Sequence, residues 1–326
     1  MILARRLLFT SVAAALVLSA GPVAAQAYPT KQVTIIVSFP PGGDTDALAR
    51  VFADKLATRM GQTVVVENRT GASGTIGNSY VSKAAPDGYT LLFTPNTVSI
   101  APLVLKPGTG AQYDVLDGFT PIFLAGTSSL FAVANTATGA KNMQELVAAM
   151  KSGKVATYAS PGSGSPMHIL GELFNKSAGV KVNQVPYRGS GPAVNDMLGG
   201  HVPFMYTTLG PVAQHVAAGK MVVLGVADPR RSPLQPNVPT FAEAGFKDAE
   251  VGAWQGVMGP KGMSPAGVRT LNGHLNEIIK MPDVLQRLNT LYLEPRGGDP
   301  SEIAKMNAAD FNKYGRVIKE FNIQAD

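Results

Sequence analysis

The sequence predicts an α/β protein with open, mostly parallel sheets, divided between two lobes. Three observations carry this. β-Branched runs of strand length alternate with amphipathic stretches of helical period from one end of the chain to the other. The chain has 326 residues, 45% of them hydrophobic and 15% charged, which supplies a sizeable core and excludes a disordered polymer. Its 35 glycines and 24 prolines follow no collagen period and read as short turns between many elements.

The first 27 residues read as an export signal. Arg5-Arg6 form a positive n-region, Leu7 to Ala20 an apolar h-region, and Ala25-Gln26-Ala27 a small-x-small cleavage site. The h-region is shorter than the roughly 20 apolar residues a spanning helix needs. The mature chain is therefore expected to begin at Tyr28 and to be exported and soluble. Its 299 residues exceed the usual size of a single core, which is the reason for expecting two lobes.

Val33 to Phe39 is apolar on both faces, as a buried parallel strand should be. Pro40-Pro41-Gly42-Gly43 stops it. Thr45 to Met60 then places Leu48, Val51, Phe52 and Leu56 on one helical stripe, with Asp44 or Thr45 as cap and Gly61 as terminator. The strand Val64 to Glu67 completes a βαβ unit. A short helix near Tyr80 to Ala84 and the strand Tyr89 to Thr94 follow. Further strands are expected at Leu130 to Val133, Val155 to Ala159, Gln184 to Tyr187, Val202 to Tyr206 and Val222 to Val226. Helices are expected near Gln144 to Lys151, Met167 to Ala178, Ala193 to Leu198, Val212 to Ala217, Ala266 to Lys280 and Ser301 to Glu320. Gly126 to Ser129 and Val251 to Trp254 are the best candidates for the passages between lobes.

Several function classes drop out. Cysteine is absent, which excludes disulfides, thiolate zinc sites, iron–sulfur clusters and cysteine nucleophiles. His168, His201, His215 and His274 lack metal-ligand spacing, so neither metal nor cofactor is expected. The formal charge of +6 falls to +4 without Arg5 and Arg6, and Arg230-Arg231 is the sole adjacent basic pair left. Nucleic acid wants a clustered basic stripe with aromatics, so none is expected as partner. There is no Gly-x-Ser-x-Gly elbow, and Gly219-Lys220 runs into Met221, which breaks a phosphate-binding loop. Asp196 and Glu172 read as solvated helix residues, and Trp254 as a core or hinge aromatic.

Four strand ends open into glycine- and serine-rich turns that start helices: Pro40 to Asp46, Asn68 to Gly74, Ser160 to Pro166 and Tyr187 to Pro192. Ligands of open α/β sheets bind beyond the carboxyl ends of strands. Free N–H groups and the helix dipole there favour an anion, and glycine lets it approach. These turns contribute Gly42, Gly43, Asp44, Thr45, Ser165, Tyr187, Arg188 and Gly189 as candidates. Turn glycines are common, so one such loop means little; four in one chain argue for a site. Ser165 and His168 are three residues apart, as a nucleophile and base could be, but a helix cap explains the pair more simply.

Together these residues resemble the tripartite tricarboxylate transporter receptors, also called Bug proteins. The likeness runs through Phe39-Pro40-Pro41-Gly42-Gly43-x-x-Asp46-x-x-Ala49-Arg50, Glu67-Asn68-Arg69-x-Gly71-Ala72 and Ala85-Pro86-Asp87-Gly88-Tyr89-Thr90. It continues through Ser160-x-Gly162-x-Gly164-Ser165-x-x-His168, Val185-Pro186-Tyr187-Arg188-Gly189, Arg231-Ser232 and Val238-Pro239-Thr240-x-x-Glu243-x-Gly245. It implies a type II, flytrap-like periplasmic binding protein with two crossovers. Lobe one would combine residues 28–127 and 252–326, and lobe two residues 128–251. The ligand would be a small mono- or dicarboxylate, an aromatic acid and an amino acid included. Membrane permease subunits would be the partners, and a monomer is expected. By the resemblance, Phe39, Gly42, Gly43 and Asp46 contact ligand from lobe one. Ser160, Gly162, Gly164, Ser165 and His168 do so from lobe two, with Thr94, Asn96 and Thr97 as a side wall. Asp44 departs from the family, where this position is small or neutral; helix capping is its expected role. A sensory receptor of the same fold and a Ser165–His168 hydrolase stand as alternatives.

Overall fold

The computed structural model describes residues 28–324 apart from 107, 109 and 110. The expected signal peptide, 1–27, lies outside the described residues. Residues 28–30 belong to a separate short unit, and Lys31 onward forms one compact unit.

Two sheets organise that unit. The first contains β1 (Val33–Val37), β2 (Val64–Asn68), β3 (Thr90–Pro95), β4 (Phe119–Ser128), β10 (Ala253–Pro260) and β11 (Glu294–Pro295), in the order β11-β4-β10-β3-β1-β2. The second contains β5 (Phe131–Asn135), β6 (Thr157–Ser160), β7 (Asn183–Pro186), β8 (Phe204–Thr207) and β9 (Met221–Val226), in the order β7-β6-β8-β5-β9. The chain passes between sheets twice, after β4 and before β10. The result is a two-lobed α/β fold.

Neither sheet is mostly parallel, contrary to the sequence expectation. In the first, β1 runs parallel to β2 and β3, whereas β10 lies antiparallel between β3 and β4. In the second, β6 is parallel to β7 and β8, whereas β5 is antiparallel to β8 and β9. β4 and β10 are absent from the strand readings because Pro121, Gly126, Gly256 and Gly259 look like turn residues. The glycines in fact serve close packing. A Cβ on Gly256 would stand 2.5 Å from the Phe123 carbonyl oxygen, and one on Gly126 2.8 Å from that of Glu294.

The helices are α1 (Asp44–Met60), α2 (Thr75–Ser82), α3 (Thr97–Val104), α4 (Met143–Lys151), α5 (Pro166–Ala178), α6 (Ser190–Leu198), α7 (Ala213–Ala217), α8 (Pro265–Ile278), α9 (Pro282–Thr290) and α10 (Ser301–Phe321). α3 and α9 were not legible: α3 is eight residues long, holds Pro102 and is apolar nearly all round. α1 turns Leu48, Phe52 and Leu56 inward and stops at Gly61, whose φ of 63° suits glycine. Phe52 meets Phe93 and Phe123 at ring-centroid distances of 5.9 and 5.7 Å. Under the second sheet, Tyr158, Phe204, Tyr206, Phe174 and Phe241 form a continuous aromatic cluster. Ile100 and Val104 of α3 and Tyr314 and Ile318 of α10 join that same core. Glu172 is not a free surface residue: it accepts the Tyr158 hydroxyl at 3.0 Å, and burial raises its carboxyl.

Candidate functional site

The carboxyl ends of β1, β3, β6 and β7 each lead directly into a helix. Those helices start at Gly43, Asn96, Ser165 and Gly189, the N-caps of α1, α3, α5 and α6. All four caps line one cleft with about 770 Å³ of empty volume, open solvent included. Two come from the first sheet and two from the second. The first N–H groups of each helix lack intrahelical acceptors, and the dipoles add positive potential. Backbone donors arranged in this way suit an anion. Among the described residues no lysine or arginine lines it.

Of the predicted residues, Phe39, Gly43, Asp44, Thr45, Asn96, Thr97, Gly162, Ser165 and Gly189 line this cleft. Tyr187 and Arg188 line an adjoining hollow that shares Phe39, Gly162 and Gly189 with it. Gly42, Asp46, Thr94, Ser160, Gly164 and His168 stand behind the lining, and most of them shape it. Asp46 accepts from the Gly42 N–H at 3.0 Å, from Arg50 Nε and Nη2 at 3.0 and 2.9 Å, and from Asn68 Nδ2 at 2.9 Å. Asn68 also donates to the Phe39 carbonyl at 2.9 Å. Burial alone would raise the Asp46 carboxyl, but these donors outweigh it and hold the carboxyl below its ordinary value. This network fixes the turn in which Gly42 adopts φ 88°.

The second lobe builds its loop similarly. Ser165 Oγ accepts the His168 N–H at 3.2 Å, as an N-cap does, and His168 Nδ1 accepts the Gly164 N–H at 3.1 Å. Ser160 Oγ accepts from Gln184 Nε2 at 2.5 Å and from the Gly162 N–H at 3.3 Å. A Cβ on Gly164 would stand 2.7 Å from Ala101 Cα, so glycine here permits the loop to lie against α3. Tyr187 donates its hydroxyl to Asp196 at 2.7 Å, so Asp196 is partnered and not merely solvated. Burial, then Asp196, pushes the Tyr187 phenol up to about 12.

Asp44 is not the cap of α1. The helix begins at Asp44 itself, Gly43 is the N-cap, and no side chain caps it. The Asp44 carboxylate instead reaches the second lobe, where Oδ2 accepts the Thr208 hydroxyl at 3.0 Å. Burial pushes its carboxyl up to about 6, although Thr208 and the charge of Arg287 favour ionisation.

Sequence reasoning did not single out Ser128, Thr208, Ala253 and Gln255, which also line the cleft. The strand-end rule fails at β10 because this strand runs antiparallel: its amino end, at Gln255, pairs with Pro95 at the carboxyl end of β3. Ser73, Pro161, Ser163, Pro166 and Ser190 line it too, all within the four turns already marked. Trp254 is buried, lines the cleft and donates Nε1 to Asp310 at 2.9 Å. No group of histidine and acidic side chains among the described residues could hold a metal ion.

The chain is similar to several known proteins. The protein BugT of Bordetella pertussis is 37% identical over 304 residues, covering 92% of each chain. The solved periplasmic binding protein BugD is 31% identical with a TM-score of 0.84, over 92% of this chain and all of that one. An R. palustris protein solved with adipate is 30% identical (TM-score 0.84, 91% and 99% covered). MatC from Rhodopseudomonas palustris, solved with malate, is 29% identical (TM-score 0.82, 89% and 100% covered). Residues 48–323 match the tripartite tricarboxylate transporter family receptor, and the chain belongs to that family.

Proposed function

We propose that this protein is a periplasmic receptor that captures a small organic carboxylate between its two lobes and delivers it to the permease subunits of a tripartite transporter. The observation that carries this is the convergence of four helix N-termini, two from each sheet, on one cleft. A carboxylate matches such donors in size and charge. Adipate and malate in related proteins support the same ligand class. Residues 28–127 with 252–326 form the first lobe and 128–251 the second, a division that sheet membership supports. Arg5-Arg6 and the apolar run after them route the chain to the periplasm.

A melting screen tests the reading. A ligand at a hundredfold its Kd adds about 2.7 kcal/mol of stability, or a shift of roughly 5–10 °C for lobes of this size. Aliphatic dicarboxylates, hydroxy acids, amino acids and aromatic acids are compared with sugars and phosphate esters. At least one carboxylate gives such a shift. Stabilisation by sugars or phosphates and by no carboxylate overturns it.

A further inference from the structure

The cleft attracts anions, yet among the described residues its one charged lining group is a carboxylate, Asp44. We propose that the ligand carries a protonated amine as well as a carboxylate, and that Asp44 receives the amine while the helix N-termini hold the carboxylate. This rests on the carboxylate reading above and narrows its substrate class to amino-carboxylates.

The placement of Asp44 is the first support. It lies at the amino end of α1, among the donors that would hold a ligand carboxylate. Among the described residues its side-chain hydrogen bond goes to an uncharged group, the Thr208 hydroxyl. Arg287 of α9 acts on it electrostatically, but Arg287 is exposed and forms no ion pair with it. A plain dicarboxylate entering here meets a like charge; an ammonium group meets an opposite one.

Two further lining residues point the same way. Asn96 is fully buried and Gln255 is 8% exposed, and neither Asn96 Oδ1 nor Gln255 Oε1 accepts any hydrogen bond. The Asn96 amide has a fixed orientation, because Nδ2 donates to the Gly252 carbonyl at 3.0 Å and to Asp310 at 2.9 Å. Although Asn96 is the N-cap residue of α3, its side chain does not cap. A buried acceptor left without a donor is costly to the fold. The cleft therefore has unsatisfied acceptors in addition to Asp44. An ammonium supplies three donors and a simple dicarboxylate supplies none. Burial raises the Asp44 carboxyl only to about 6, so it is mainly ionised at pH 7.5 and able to pair with a cation.

Calorimetry at pH 7.5 with matched ligand pairs tests the assignment: aspartate against succinate, glutamate against glutarate, β-alanine against propionate. Malate serves as a neutral-donor analogue of aspartate. The wild type binds the amine member of at least one pair about tenfold or more tightly, roughly 1.4 kcal/mol. Asp44→Asn keeps the shape and the Thr208 contact, and it removes most of that preference. Asp44→Ala provides a second variant, and circular dichroism confirms folding of each. Equal or tighter binding of the desamino member by the wild type overturns the inference while leaving the carboxylate reading intact. An amine preference unchanged in both variants overturns the assignment to Asp44. Malate binding as tightly as aspartate overturns the need for a cation. Failure of every carboxylate to bind removes the underlying reading as well.

Discussion

Replacing Asp44 with asparagine should stabilise the ligand-free protein at neutral pH, and the gain should vanish in acid. Desolvation moves the Asp44 carboxyl from 3.8 to about 6. Two pH units correspond to at most roughly 3 kcal/mol. Part of the side chain remains open to the cleft, and screening brings the expected cost of the charge to about 1–2 kcal/mol. The helix dipole acts in the opposite sense, at about 0.3–1 kcal/mol for an acidic residue in the first turn. Burial is the larger effect. The sign follows from proton linkage: between 3.8 and about 6 the folded state binds the proton more tightly, so wild-type stability falls as pH rises through that window. Below it both states are neutral at this position. Urea or thermal unfolding of both proteins at pH 4.5, 6 and 8 reads the difference. The Asp44→Asn variant should unfold a few degrees above wild type at pH 8, at about 2–4 °C per kcal/mol. The gap should be clearly smaller at pH 4.5, inside that window. A variant less stable than wild type at pH 8, with a deficit that grows with pH, would refute the reasoning and make the dipole the dominant effect.

Gly43→Val should abolish carboxylate binding and leave the melting temperature within about 2 °C, read by calorimetry and circular dichroism. Gly43 has φ of −79°, and the nearest atom to an added Cβ is 3.9 Å away, so the side chain fits the fold but occupies the cleft. Gly164→Ala should destabilise by about 1–3 kcal/mol, since its Cβ would meet α3 at 2.7 Å with φ at 76°; denaturant titration checks it. Asp46→Ala should weaken both stability and binding by leaving Arg50, Asn68 and the Gly42 N–H without their shared acceptor, with a stability loss of about 1–3 kcal/mol. That deficit should shrink as pH falls through the lowered Asp46 pKa, where the wild type loses the same charge.

The first βαβ unit was legible because its signals are local: a β-branched run, two glycines, an apolar stripe at Leu48, Phe52 and Leu56, and a terminal Gly61. The glycine turns before α5 and α6 were legible for the same reason. β4 and β10 were not, because a strand whose glycines are demanded by a neighbour's backbone looks broken in sequence. Losing β10 also hid Ala253 and Gln255 from the site. Thr208 joins the cleft by a contact across 164 residues, and no sequence spacing reports such a contact. Asp44 shows the limit most clearly. Its unusual charge was visible in the sequence and capping was the natural local role, but the carboxylate turns to the opposite lobe instead. A local motif reports what a residue can do with its neighbours in sequence, whereas the folded cleft decides which partner wins.

A crystal structure with the carboxylate that gives the largest melting shift tests the central claim most directly. One ligand carboxylate should lie within hydrogen-bonding distance, about 2.7–3.2 Å, of backbone N–H groups at the starts of α1 and α5, bridging the two lobes. A carboxylate bound instead in the hollow lined by Arg230, Arg231 and Arg296, which adjoins the cleft at Ser128 and Ala253, with the helix N-termini empty, would contradict it.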